Sequence, residues 1–359
     1  MSSSATRLPR LARGAFVALL LACAVAEAQE SIIDRVRSGL RGIGRGVDYV
    51  GQKAEDLLGP GLGAATEPAA EHTDTATFSE RYPVDASPVV SLSNQFGDIR
   101  IETWTDSVVQ IEALITVGAE RAEVAAEVVK ATTIQVDPSK EVVEAHTLLP
   151  ELGRDKGAVS TRVDYTVTVP QGANLVLDNF FGDTYVRGAG GLVAIEAQYG
   201  GIQLDAISGP VTVRSHGEFP VEARGLSQGG MFDLNGARAR FSNVRGDLRV
   251  HGFRSELLFD SIPPDNSIEA SSETGSIRLL LPTGVKPDLT ATVRYGALQS
   301  ALPLTQTTQG RRILGRFPAE APAQRISLSA TFGDIIIEQE AAPGEAPPVD
   351  LSGAKPFND

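Results

Sequence analysis

The chain has 359 residues, and its 45 aspartates and glutamates outnumber its 32 lysines and arginines, leaving a formal charge of −13. A surface of that sign repels phosphate backbones and anionic lipid, which excludes general nucleic-acid binding and favours solubility. Cys23 is the only cysteine, so the chain can form neither an internal disulfide nor a thiolate zinc site.

Residues 1–28 have the layout of a secretory signal peptide: Arg7, Arg10 and Arg13, an apolar run over 15–26, and small residues at Ala26 and Ala28. The run is too short and alanine-rich for a membrane span. Cleavage after Ala28 is expected, and with it export to the periplasm, outer envelope or extracellular space. The removed segment carries three arginines against Glu27, which takes the charge from −13 to −15. Leu20-Leu21-Ala22-Cys23 also resembles a lipobox, in which Cys23 would carry the lipid of an anchored lipoprotein.

Within 29–58, Ile33, Val36, Leu40, Ile43, Val47 and Val50 alternate at three- and four-residue spacing, with Arg35, Arg37, Arg41 and Arg45 between them. The pattern predicts an amphipathic helix, through which 31–58 could touch a membrane or a partner. Gly39, Gly42, Gly44, Gly46 and Gly51 each weaken it by about 1 kcal/mol relative to alanine, so a loosely ordered extension is the plainer reading. A linker follows over 59–81, and the proline-rich 340–359 is expected to be a disordered tail.

Residues 82–339 form the folded part, with apolar residues mostly at period two. Val193, Ile195 and Ala197 alternate with Ala194, Glu196 and Gln198, the signature of a half-exposed strand. One helix is predicted, over 119–130, where Glu and Ala are abundant and Val124, Val128 and Val129 share a face. Residues 82–170 read as a small mixed cap carrying that helix. Over 171–339, short strands follow one another with glycine turns, and Gly182, Gly200, Gly217, Gly236 and Gly252 recur at nearly even spacing. Such a period predicts an all-β fold of stacked short strands, a β-solenoid. Spacing alone does not separate a parallel β-helix-like coil from stacked hairpins.

A phrase recurs through this region: Phe96-Gly97-Asp98, Phe181-Gly182-Asp183 and Phe332-Gly333-Asp334. Glycine takes positive φ at little cost and a following Asp bonds nearby backbone, so the phrase is turn chemistry. Tyr199-Gly200, His216-Gly217, Thr274-Gly275 and Tyr295-Gly296 keep the glycine, while the next residue loses its carboxylate in three of the four. A catalytic acid would not be exchangeable with alanine; a turn residue is. The preceding aromatic is expected to pack on its counterpart in the next coil, as a ladder inside the stack. The rival reading makes Asp98, Asp183 and Asp334 ligands for a sugar or a cation.

The repeated N-x-F-G-D-[IT]-x-[IV] phrase, the Ala/Glu helix and the VDYTVTVP segment before the repeats together resemble the bacterial candidate-adhesin family of exported, glycine-turn β-solenoid domains, over roughly 85–339. That resemblance implies an envelope or surface location and a stacked all-β fold, and it supplies no catalytic residues.

No recognisable chemistry competes with it. His72, His146, His216 and His251 have no histidine or cysteine at ligand spacing, so no metal or other cofactor is expected. No G-x-S-x-G elbow or Ser-x-x-Lys pair stands in a strand-to-helix context, and no phosphate-loop motif is present. Glu196 and Asp205 read as outward residues on neighbouring strands, with Glu222 continuing the face and Arg214, Arg238, Arg240 and Arg249 following; this is either a solvated mixed-charge surface or the carboxylate pair of a polysaccharide-active enzyme. Trp104 is expected to close an end of the core. The function expected is a non-enzymatic, adhesin-like structural or binding module facing an envelope protein or glycan, or else an envelope-anchored accessory in signalling or assembly.

Overall fold

A computed structural model describes residues 71–152, 156–264, 266–318 and 324–340, all within one unit spanning 68–359. The expected signal peptide, Cys23, the 29–58 helix and the tail beyond Glu340 lie outside the described residues.

The chain opens with β1 (His72–Pro83), β2 (Val89–Phe96), β3 (Ile99–Trp104) and β4 (Val108–Ala119). Then come α1 (Ala122–Ala131), β5 (Thr133–Pro138), β6 (Val142–Leu148) and β7 (Val159–Pro170). Strand pairs follow: β8 (Asn174–Phe181) with β9 (Thr184–Arg187), β10 (Val193–Ala197) with β11 (Ile202–Asp205), and β12 (Val211–His216) with β13 (Pro220–Arg224). The series continues with β14 (Gly229–Asn235) and β15 (Arg238–Ser242), β16 (Asp247–Phe253) and β17 (Glu256–Asp260), and β18 (Ser267–Thr274) and β19 (Ile277–Leu281). It ends with β20 (Asp288–Arg294), β21 (Leu298–Ser300), β22 (Thr305–Gln309), β23 (Arg312–Phe317), β24 (Arg325–Phe332) and β25 (Ile335–Gln339).

The first strand of each pair from β8 to β19 joins one sheet and the second joins another. The first sheet runs β1-β4-β7-β3-β9-β11-β13-β15-β17-β19-β25-β21, and the second β22-β23-β20-β24-β18-β16-β14-β12-β10-β8-β2-β6-β5. From β8 to β19 every neighbour pairing is parallel. The fold is therefore all-β and solenoid-like, built of parallel coils and not of stacked hairpins. Antiparallel pairing is confined to the ends, at β1–β4–β7, β5–β6 and β20–β23–β22.

Alternation explains the core. In β10, Val193, Ile195 and Ala197 are buried while Ala194 and Glu196 face outward, and the same parity repeats coil after coil. Leu177, Ile195 and Val213 line up in one buried column; Leu204, Ala223 and Phe241 line up in another, on the opposite sheet. Full burial of each leucine, isoleucine, valine or phenylalanine in these columns contributes roughly 1.5–3 kcal/mol. α1 lays Val124, Ala125, Val128 and Val129 against β1 and β4, with Glu123 in its first turn and Lys130 in its last, the order that suits the helix dipole.

Several expectations need correction. Residues 72–81, read as linker, belong to β1, which pairs along its whole length with β4; the small polar residues there serve an edge strand. The helix begins at Ala122, because Ala119 still ends β4. Within 82–170, β2 and β3 form a coil of the stack itself, beside β8 and β9. Gly252 is not a corner: it lies inside β16 facing the core, and the corner falls on Arg254, with a φ of 52°. Sequence order also departs from spatial order, since β24 and β25 insert between β18–β19 and β20–β21. Trp104 ends β3 in the interior of its sheet and donates from Nε1 to the Val108 carbonyl at 2.8 Å, closing a turn and not the stack.

Candidate functional site

The corners form one column. Gly97, Gly182, Gly217 and Gly275 have φ of 117°, 130°, 117° and 129°, conformations that side chains rarely adopt. Space is equally restrictive: a Cβ on Gly182 would lie 2.2 Å from the Gly97 carbonyl oxygen, and one on Gly200 1.8 Å from that of Gly182. The column resumes at Gly333 against Gly275 and ends with Gly296 against Gly333. Coils are thus packed backbone on backbone at this line.

Polar side chains stitch the line together. The Asp98 carboxylate accepts from the Asp183 N–H at 2.9 Å, Asp183 accepts from the Gly201 N–H at 2.7 Å, and Asp334 accepts from the Ala297 N–H at 2.8 Å. Asp164 on β7 does the same for the Asp98 N–H at 2.8 Å. Each Asp serves the neighbouring coil, so Ala297 in β20–β21, the last coil of the column, needs no carboxylate. The second oxygens of Asp98, Asp164 and Asp183 are also occupied: Arg162 pairs with Asp98 and Asp164, each at 2.9 Å, and the Tyr185 hydroxyl donates to Asp183 at 3.0 Å. Burial and then that carboxylate push the Tyr185 hydroxyl up to about 12. With both oxygens engaged, Asp98 and Asp183 have little left to offer a sugar or a cation.

Sequence reasoning missed the asparagine of the phrase. Asn94 and Asn179 are buried and opposite each other in the ladder. The Asn94 amide donates to the Gly97 and Val163 carbonyls, and that of Asn179 to the Gly182 and Gly97 carbonyls, at 2.9–3.2 Å. Asn94 also accepts from the Thr147 hydroxyl, which contacts the Tyr165 hydroxyl at 2.8 Å. A buried polar residue two places before an aromatic-glycine pair is the signal that could have revealed this clasp.

The corner aromatics stack as expected, though not inside. Phe96 and Phe181 lie 5.3 Å apart and 2° from parallel, Phe181 and Tyr199 4.9 Å and 16°, Tyr295 and Phe332 5.0 Å and 12°. These rings are half-buried or exposed, because the chain turns at the glycine before they can reach the core. The ladder inside is Phe232, Phe241 and Phe259, whose centroids are 4.8 and 5.1 Å apart.

Glu196 and Asp205 are not brought together. Glu196 stands on β10 in the second sheet and Asp205 on β11 in the first, with the Gly200 corner between them. Glu222 shares the first sheet but pairs laterally with Gln203 and Arg240, and it bonds Arg224. Arg214, opposite Glu196, and Arg249, 3.6 Å from Glu269, face outward on the second sheet; Arg238 and Arg240 lie on the first, where Arg240 pairs with the buried Asp260 at 2.6 Å. Asp178, in register with Glu196, is pushed up to about 6 by burial and by the Glu196 charge. The shallow depression beside β1, β4 and β7 holds Glu112 and Asp164. Both are already bonded, Glu112 to Gln110 at 2.6 Å and Asp164 to Arg162. Among the described residues no group of His, Cys, Asp or Glu has the arrangement of a metal site, and no helix is long and apolar enough to cross a membrane.

No family model matches the sequence, and no curated protein matches it either. Solved structures to which the chain is similar include a candidate cell adhesion protein from Clostridium sporogenes (12% identity, 74% of this chain and 100% of that one, TM-score 0.24). Candidate adhesins from Bacteroides fragilis (14%, 73% and 97%, TM-score 0.31) and Parabacteroides distasonis (8%, 74% and 97%, TM-score 0.29) are similar too. At such scores the likeness carries no weight for function, and the fold stands on the strand ladders themselves.

Proposed function

We propose that the protein is an exported, non-enzymatic, adhesin-like module of the bacterial envelope, a stacked scaffold that presents flat sheet faces to a protein or glycan. One observation carries this reading: equivalent residues recur in register from coil to coil, so outward side chains form parallel rows about 4.8 Å apart while the glycine corners are strung along the stack and do not converge on a pocket. Rows of that kind suit an extended partner. The N-terminal segment, with its basic, apolar and small-residue parts, supports export.

Two measurements test it. Binding of the full exported protein to a glycan array and to envelope extracts should yield a saturable partner. A panel of polysaccharides should remain uncut; turnover that disappears in Glu196→Gln or Asp205→Asn would overturn the non-enzymatic reading. The lipobox-like Leu20-Leu21-Ala22-Cys23 supports a second, anchored form, for which palmitate labelling lost in Cys23→Ala is the expected result.

A further inference from the structure

At the far end of the second sheet the charge of this acidic protein reverses. Residues 289–317 contain Arg294, Arg311, Arg312 and Arg316 and no acidic residue, in a chain of net charge −13. Register sets Arg294 of β20 directly opposite Arg312 of β23, with Gln309 of β22 beyond. Thr290 lies opposite Arg316, with Thr305 beyond and Ser327 of β24 on the other side; Ser329 lies opposite Thr292, in the intervening row that runs through Leu314. All three of these arginines are exposed, as are both serines, Thr305 and Gln309. The one carboxylate on these four strands, Asp288, stands at the opposite end of β20, across from Arg325.

Like charges directly opposite one another in a sheet are destabilising. Elsewhere on the second sheet Arg249 has Glu269 as a partner, yet among the described residues Arg294, Arg312 and Arg316 form no ion pair. Keeping two guanidiniums side by side without a counter-ion is intelligible if the counter-ion arrives with a ligand. Arg312 and Arg316 are four residues apart on one strand, roughly 13 Å, so one small anion cannot reach both. The patch is also held in place: Tyr295 takes a left-handed φ of 63°, its N–H donates to the Arg311 carbonyl at 3.2 Å, its ring stacks on Phe332, and the Arg311 guanidinium lies over the ring, 5.3 Å from its centroid. Strain of that kind in a bulky residue persists where the surroundings impose it.

We propose that the outward face of β24, β20, β23 and β22 binds an acidic polysaccharide, with Arg294 and Arg312 holding one carboxylate or sulfate and Arg316 another, while the threonine and serine hydroxyls bond the sugar hydroxyls. This rests on the binding-module reading above and gives it a ligand class and a place. An anionic membrane fits less well, since the half-buried Leu314 is the only apolar side chain in these rows. Nucleic acid is disfavoured because the chain as a whole carries a formal charge of −13, which repels a phosphate backbone outside this small patch.

The full exported protein is titrated with alginate as a polyuronate, dextran as a neutral polymer, and phosphatidylglycerol vesicles. Alginate is expected to bind, dextran and vesicles are not, and about 0.5 M NaCl should abolish the binding. The Arg294→Gln/Arg312→Gln double variant should bind alginate at least roughly tenfold more weakly, since charge-assisted bonds are lost. Its melting temperature should be unchanged or higher, because a like-charge pair has been removed. No alginate binding, binding unaffected by the double variant, or equal binding to the vesicles would overturn the proposal. A neutral glycan or an envelope protein that binds the double variant as well as the parent would sink this site and leave the broader reading standing; no partner from array or extract would sink both.

Discussion

Gly182 has neither the φ nor the room for a side chain, with φ at 130° and the Gly97 oxygen 2.2 Å from where a Cβ would sit. Gly182→Ala should therefore cost about 3 kcal/mol or more, as strain and a backbone clash combine, measured as a shift of the urea midpoint. Asp183→Ala should cost about 1–2 kcal/mol by leaving the Gly201 N–H without its acceptor, and Asp183→Asn less, since an amide oxygen can still accept. Such ordering is expected of a corner bond; a role in ligand binding would instead show as lost binding with stability intact. Asp178 sets a pH dependence. Its carboxyl, raised from 3.8 to about 6 by burial and Glu196, holds its proton more tightly folded than unfolded, so stability on this account falls as pH rises from about 4 to about 6 and stays low above. Asp178→Asn should flatten that slope and add on the order of 2 kcal/mol at pH 7, read from melts across pH. The glycines of the corners were legible because their need is local. Asn94 and Asn179 were not, since the carbonyls they bond include those of Val163 and Gly97, brought in by other coils.

At the scale of elements, β24–β25 is the piece on which the C-terminal end depends. β24 pairs with both β18 and β20, and β25 with both β19 and β21. Truncation after Phe317 should therefore strip hydrogen-exchange protection from β20–β23 while leaving β8–β17 protected; uniform loss or uniform retention would contradict this arrangement. The third aromatic-glycine-Asp unit was readable as a corner, but nothing in its spacing says that it enters the stack ahead of strands preceding it in sequence. The insertion is decided by non-local pairing, and the β22–β23 hairpin occupies the connection it leaves. β1 was hidden for a related reason. It is an edge strand of threonines and charged residues, with few apolar positions to mark it, and it becomes a strand because β4 offers twelve residues of partner.

For the whole molecule, stacking makes stability a sum over neighbouring coils. In Gly182→Ala, exchange should accelerate in β2–β3 and β8–β11 well before it does in β16–β19, and equal acceleration everywhere would show a single cooperative block instead. By itself the sequence determined the strand period, the glycine corners, the helix that carries Val124, Val128 and Val129, and the acidic surface with no internal disulfide, because each is written in residue type and short spacing. Tertiary structure alone decided that the coils are parallel, that Glu196 and Asp205 face different ways, that the corner aromatics stand outside, and that Arg294 meets Arg312. Those outcomes depend on which strand lies beside which, and hydrogen-bond register between residues tens of positions apart leaves no periodic trace in the chain.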